Sequence, residues 1–182
     1  FNHIIMQPYS ILRNALFLML VTFGLSACKS QFVLELEGEK AGRNARIELF
    51  VDAEELFDKS KLDLEDCALW DGVKGNVNKG NSVKDFESTV YDKNMVTWRG
   101  SVDSDSRKKG YSIKILQIEM DPEKNCVFDK VVVAGKSGMV KAKVKKRGED
   151  DCISPYSIWF ELENPDGNTR VFRLDPFLRA IR

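Results

Sequence analysis

A chain of 182 residues with 28 basic and 28 acidic side chains carries no net charge, which argues against general nucleic-acid binding, since that rests on a basic surface. Its single histidine, His3, lies in a segment expected to be removed. Serine–histidine–aspartate and cysteine–histidine catalysis, histidine-ligated zinc and an imidazole pH switch therefore drop out in their usual forms, and no cofactor is implied.

Residues 1–5 precede the first Met and are expected to lie outside the translated chain. Residues 6–27 hold one cation, Arg13, then an apolar run over 15–20 that continues through Val21, Phe23 and Leu25 without an acidic interruption. This is the layout of an export signal. A spanning helix needs about 20 consecutive apolar residues, and the run is shorter, ending in Gly24, Ser26 and Ala27. The tetrad Leu25-Ser26-Ala27-Cys28 resembles the lipobox of bacterial lipoproteins. That resemblance covers the leader alone. It implies a diacylglycerol on the Cys28 sulfur, removal of residues 1–27, and acylation of the new amino group. Each buried methylene contributes roughly 0.8 kcal/mol, so two or three acyl chains hold a protein where one does not. Two other readings stay open: an ordinary signal peptide cut near Ala27, with Cys28 a plain thiol or disulfide partner, and a retained membrane anchor. Lys29 stands where an Asp would direct retention at the inner membrane, so the resemblance further implies an outer-membrane address facing the periplasm.

Residues 28–182 are expected to form one domain, long enough to bury a core. Phe32, Leu34 and Leu36 alternate with smaller or polar residues, as do Ala45, Ile47, Leu49 and Val51, so both segments read as half-buried strands. Asp52-Ala53-Glu54-Glu55 supplies an N-cap acid with a Glu three residues on, ahead of Leu56 and Phe57, the one helical signal in the domain. Residues 71–85 turn to Gly, Asn, Lys and Ser and read as a long loop. Residues 95–102 place Val96, Trp98, Gly100 and Val102 on one face. In 111–120 the apolar parity switches between Ile115 and Leu116, which a β-bulge near Ile115 would reconcile. Residues 127–134 and 139–144 read as a hairpin across Gly135-Lys136-Ser137-Gly138. Residues 157–163 and 169–174 form another, with Leu162 set opposite Phe172, and residues 177–181 read as a last helical turn. About seven to eight strands without βαβ spacing predict a mainly β fold: one antiparallel sandwich or distorted barrel with one short helix.

With Cys28 lipidated, Cys67, Cys126 and Cys152 remain, an odd number for an oxidising compartment. Folding the 127–144 hairpin brings Cys126 opposite Arg147, close to Cys152, and favours a Cys126–Cys152 disulfide with Cys67 as a small core residue. A pair involving Cys67 and an intermolecular bridge are the alternatives.

Lys141, Lys143, Lys145 and Arg147 alternate along their segment and would present four cations on one face, suited to lipopolysaccharide, anionic lipid or an acidic protein. The competing reading is a solvated edge strand whose lysines discourage aggregation. Trp159 falls on the polar parity of its strand and either stacks on a sugar or packs under a loop. Trp98 reads as core, and Trp70 has no assigned place. Asp103-Ser104-Asp105 and Glu149-Asp150-Asp151 offer oxygens for calcium but match no EF-hand loop, and read more simply as solvated turns. Gly-Lys-Ser at 135–137 lacks the phosphate-loop spacing. The expected function is a non-enzymatic, lipid-anchored envelope module that binds an envelope protein or anionic glycan. The alternatives are a glycan or lipopolysaccharide binder and a carboxylate-based hydrolase, which needs two acids about 5–9.5 Å apart.

Overall fold

The computed structural model describes residues 44–59, 61–72, 76–145 and 151–181. The expected strand at 32–36, Cys28 and Arg147 lie outside these residues. The described chain is mainly β, as expected, but has eleven strands rather than seven or eight, and two α-helices rather than one. In order these are β1 (Ala45–Val51), α1 (Ala53–Lys59), β2 (Cys67–Asp71), β3 (Asn76–Lys79), β4 (Glu87–Tyr91), β5 (Met95–Val102) and α2 (Ser104–Lys108). There follow β6 (Ser112–Met120), β7 (Val132–Ala134), β8 (Val140–Lys143), β9 (Cys152–Glu163), β10 (Thr169–Leu174) and β11 (Phe177–Ile181). Short 3-10 turns at Leu64–Asp66 and Gly80–Asp85 complete the set.

The strands make two sheets, ordered β3-β2-β1-β5-β8 and β4-β11-β9-β6-β7, with β10 also paired to β9. Both are mixed, because β1 runs parallel to β5 and β11 parallel to β4. The purely antiparallel expectation is corrected on this point, and among the described residues neither sheet closes into a barrel. Period-two alternation fixes which face of each strand is buried. Ile47, Leu49, Val96 and Trp98 of the first sheet meet Ile118, Phe160, Leu162 and Leu178 of the second in one core, a sandwich-like arrangement.

Helix α1 begins where the sequence places it: the Asp52 carboxylate accepts the Glu55 N–H at 3.2 Å, and Leu56 and Phe57 are buried. The 71–85 segment is not one loop, since β3 pairs with β2 and a 3-10 turn follows. The bulge expected near Ile115 is present as a register shift between Ile115 and Gln117 against β9. It turns Leu116 outward, and the Leu116 carbonyl accepts the Gly135 N–H at 2.6 Å. A Cβ on Gly135 would lie 2.4 Å from the Ile115 carbonyl oxygen and 2.7 Å from that of Leu116, so glycine is required by close backbone approach. Gly135→Ala is expected to cost about 1–3 kcal/mol, as overpacking against atoms that cannot rotate away does. A urea-unfolding midpoint equal to that of the parent chain would contradict this.

Three expectations fail for identifiable reasons. Residues 127–134 are not one strand: the Asn125 carboxamide accepts the Val127 and Phe128 N–H groups and donates to the Phe128 and Lys130 carbonyls, curling the chain into a loop. Only β7 remains extended, and it pairs with β6 while β8 pairs with β5 in the other sheet. The hairpin survives only at its tip, where Lys136 bridges Met139 around Ser137 and Gly138, both at positive φ. In the β9–β10 hairpin Phe172 faces Phe160 and Arg170 faces Leu162, two residues off the expected register. A shift of two keeps side-chain parity, so the intended face is still buried, and the Phe160 and Phe172 rings stack with centroids 5.5 Å apart. Residues 177–181 form no helical turn but the strand β11, inserted between β4 and β9.

Candidate ligand-binding surfaces

Strand β8 is the free edge of the five-stranded sheet. Along it and just beyond, Val140, Ala142 and Val144 are buried, Lys141 and Lys143 are exposed, and Lys145 is half-buried. Of the cationic row expected from the alternation, Lys141 and Lys143 lie on the outer face of β8, Lys145 follows beyond the end of the strand, and Arg147 lies outside the described residues. Because β7 and β8 part into different sheets after their shared turn, a groove of about 440 Å³ opens between them, lined by Ala134, Lys136, Ser137, Met139 and Lys141. Among the described residues none of Lys136, Lys141, Lys143 and Lys145 is ion-paired, whereas Lys59, Lys109 and Lys114 all hold carboxylates.

Register carries this charge beyond the edge. Lys141 faces Thr97 and Lys143 faces Met95, which puts the exposed Arg99 two residues along β5 on the same outer face. Diagonal neighbours of this kind stand about 7–8 Å apart. Among the described residues Arg99 has no ion pair either, and Glu48 opposite it is held by Arg46 and by the Ser101 hydroxyl, which donates at 2.6 Å. The sequence reading missed Arg99, whose only signal is its polar parity on β5. On the far side of this sheet the outer face is closed: Trp70 is buried with the Arg46 guanidinium over its ring at 5.7 Å.

Trp159 points outward from β9, as its parity requires, but does not stand free. Arg173 faces it on β10 with the guanidinium 5.5 Å from the ring centroid, and the indole N–H donates to Glu119 at 2.8 Å. Beside it a cleft of about 380 Å³ is lined in part by Glu119, Asp121, Ser157, Arg173 and Asp175. Within the cleft the Ser157 hydroxyl donates to Asp175 at 2.6 Å and Arg173 Nε donates to the same carboxylate at 2.8 Å. These acids are fixed acceptors suited to hydroxyl or ammonium donors.

The acidic pair at 103 and 105 is a helix cap rather than a cation loop. Asp103 accepts the N–H groups of Asp105 at 2.9 Å and Ser106 at 3.0 Å and so starts α2, which the sequence reading did not foresee. Burial works to raise its carboxyl, but the hydrogen bonds from Ser106 and Asp105 outweigh this and hold it below the ordinary range. Among the described residues no group of three acids, Cys or His is arranged to hold a metal ion. Of the second acidic cluster only Asp151 is described, 3.7 Å from Arg179.

Cys126 and Cys152 are joined by a disulfide with Cα atoms 6.3 Å apart, tying the Asn125 loop to the start of β9. Cys67 is a buried free thiol, and burial pushes its pKa up to about 12. Trp98 is core, donating its indole N–H to the Tyr156 hydroxyl at 3.3 Å. No helix among the described residues is long and apolar enough to cross a membrane.

No family model matches the sequence, and no curated protein matches it. Among solved structures the chain is similar to the inclusion body protein PixA of Burkholderia cenocepacia J2315, at 15% identity over 80% of this chain and 98% of that one, with a TM-score of 0.49. It is also similar to the bradyzoite-specific antigen BSR4 of Toxoplasma gondii, at 15% identity over 54% of this chain and 44% of that one, with a TM-score of 0.27. At these values neither likeness assigns a family or a role.

Proposed function

We propose that this chain is an exported, non-enzymatic binding module of the cell envelope, anchored by lipid on Cys28 at the outer membrane and facing the periplasm. Its ligand is an anionic envelope component. The observation that carries the binding reading is the clustering of Lys141, Lys143 and Lys145 along one sheet edge, with no described carboxylate paired to them. Unpaired cations gathered on one edge attract anions at long range and sustain the attraction on contact. The compartment rests on the sequence Leu25-Ser26-Ala27-Cys28 and is supported by the Cys126–Cys152 disulfide, a bond that persists in oxidising surroundings.

Intact mass of the protein extracted from membranes tests the anchor and the thiol count together. The expected species begins at Cys28, carries the diacylglyceryl and N-acyl groups, and holds one disulfide. Its one remaining thiol, Cys67, should resist alkylation near pH 8 in the folded state and react once unfolded, because burial keeps it protonated. The sign of the linkage follows: an unfolded thiol ionises above its ordinary value of 9.0, while folded Cys67 holds its proton to about 12. Stability falls as pH rises through that window. An unmodified Cys28, or a Cys28→Ser variant processed and membrane-bound like the parent, would remove the anchor.

A second reading, a glycan site beside Trp159, is favoured by the cleft that Glu119, Ser157, Arg173 and Asp175 line. Retention on immobilised envelope glycan that is unchanged by Trp159→Ala would dismiss it.

A further inference from the structure

We infer that the β5–β8 side of the outer sheet face is a docking surface for a phosphate-bearing anionic lipid surface, with a headgroup phosphate seated in the groove between Lys136 and Lys141. This rests on the reading of the chain as an anion-binding envelope module and names both its partner and the face that meets it. Three observations carry it. First, the cations are spread over a sheet face, as Lys141, Lys143 and Arg99 come from two adjacent strands in register. A planar partner engages all of them together. Second, the acid that the register brings closest, Glu48, is already neutralised by Arg46 and hydrogen-bonded by Ser101, and no described carboxylate pairs with Lys141, Lys143 or Arg99. Third, the two-residue turn at Ser137 and Gly138 holds the Lys136 backbone to Met139 while β7 and β8 diverge beneath it. The resulting groove is lined by Lys136, Ser137 and Lys141, whose ammonium and hydroxyl groups are donors suited to a phosphate, and no carboxylate is in its lining.

A basic patch of this kind is the second signal that turns membrane attachment by acyl chains into a fixed orientation. Each cation near an anionic surface is worth about fivefold in partition, the equivalent of about 1 kcal/mol. Flotation of the full chain with vesicles of phosphatidylcholine, alone or mixed with phosphatidylglycerol, tests this. The readout is the ratio of the two partition coefficients, in which the contribution of any acyl chain or leader cancels. The Lys136→Gln, Lys141→Gln, Lys143→Gln triple variant is expected to lower the ratio about a hundredfold. Arg99→Gln alone is expected to lower it about fivefold.

The matched triple Lys61→Gln, Lys84→Gln, Lys124→Gln removes the same charge from exposed lysines elsewhere and should leave the ratio within a small factor of the parent. Equal losses from both triples would reduce the effect to net charge and overturn the site. A ratio unmoved by Arg99→Gln would restrict contact to the β8 edge and overturn the face. A parent ratio near one overturns the proposal outright. Absence of lipid on Cys28 would instead change partition onto neutral vesicles and leave the ratio and its response to these variants intact, so the two readings fail separately.

Discussion

Replacing Trp98 with alanine is expected to lower the unfolding free energy by about 4 kcal/mol, the loss typical of a large aromatic removed from a packed core. Trp98 is 1% exposed and comes from β5 of one sheet, yet its ring meets Tyr156 of β9 in the other at 6.1 Å and Phe128 of the Asn125 loop at 5.8 Å. It thus joins three parts of the molecule that have no strand pairing in common. Removing it also takes away the indole donor to the Tyr156 hydroxyl, a group that burial keeps protonated. Trp98→Phe retains most of the contact and should cost less than half as much. Urea unfolding followed by tyrosine fluorescence or circular dichroism measures both. A loss below about 1 kcal/mol for the alanine variant would show that the sheets are held together elsewhere.

The second large effect is expected from the disulfide. Cys126 and Cys152 are separated by 26 positions, and closing a loop of that length constrains the unfolded chain by about 3.5 kcal/mol in the entropy model. The Cys126→Ala, Cys152→Ala double variant should lose about that much. The parent chain under reducing conditions should match it. Cys67→Ala should leave the response to reductant untouched, because that thiol takes no part in the bond. Retention of full parent stability by the double variant would mean that the Asn125 loop is held by its carboxamide hydrogen bonds alone.

How far the sequence spoke for itself depends on the range of the physics involved. Strand faces follow from period two and nearest neighbours, so β1, β5, β6 with its bulge, and the lysine row of β8 were legible, as was the cap of α1. The final hairpin had the right parity but the wrong register, because Asn164 closes the turn on Asn168: its N–H donates to the Asn168 carbonyl and its carboxamide oxygen accepts the Asp166 and Asn168 N–H groups, which sets Glu163 against Thr169. Val127 and Phe128 are apolar and buried, as a strand would require, yet Asn125 supplies local hydrogen bonds that win over extension. Strand β11 looked helical because Asp175-Pro176 reads equally as a strand end or a helix start. Its true partners, β4 and β9, lie far away in sequence. The disulfide was named correctly from a hairpin that does not exist as drawn: the Asn125 loop, rather than strand pairing, brings Cys126 to Cys152. Of the cationic surface, the lysine alternation was visible, while Arg99 was not, since only the β5–β8 register sets it beside Lys141.

The insertion of β11 between β4 and β9 bears on the order in which the molecule assembles. Strand β4 has no strand partner but β11 among the described residues, and the paired positions, such as Glu87 and Phe177, lie about 90 residues apart. Such distant pairing carries a large loop-closure cost and slows folding. A chain synthesised from its amino end therefore has the paired strands β1 and β2 and the helix α1 between them available early, but cannot complete its second sheet until residues 177–181 have followed. Until then the edge of β4 stays open, and a chaperone that covers extended, unpaired backbone would find its substrate there.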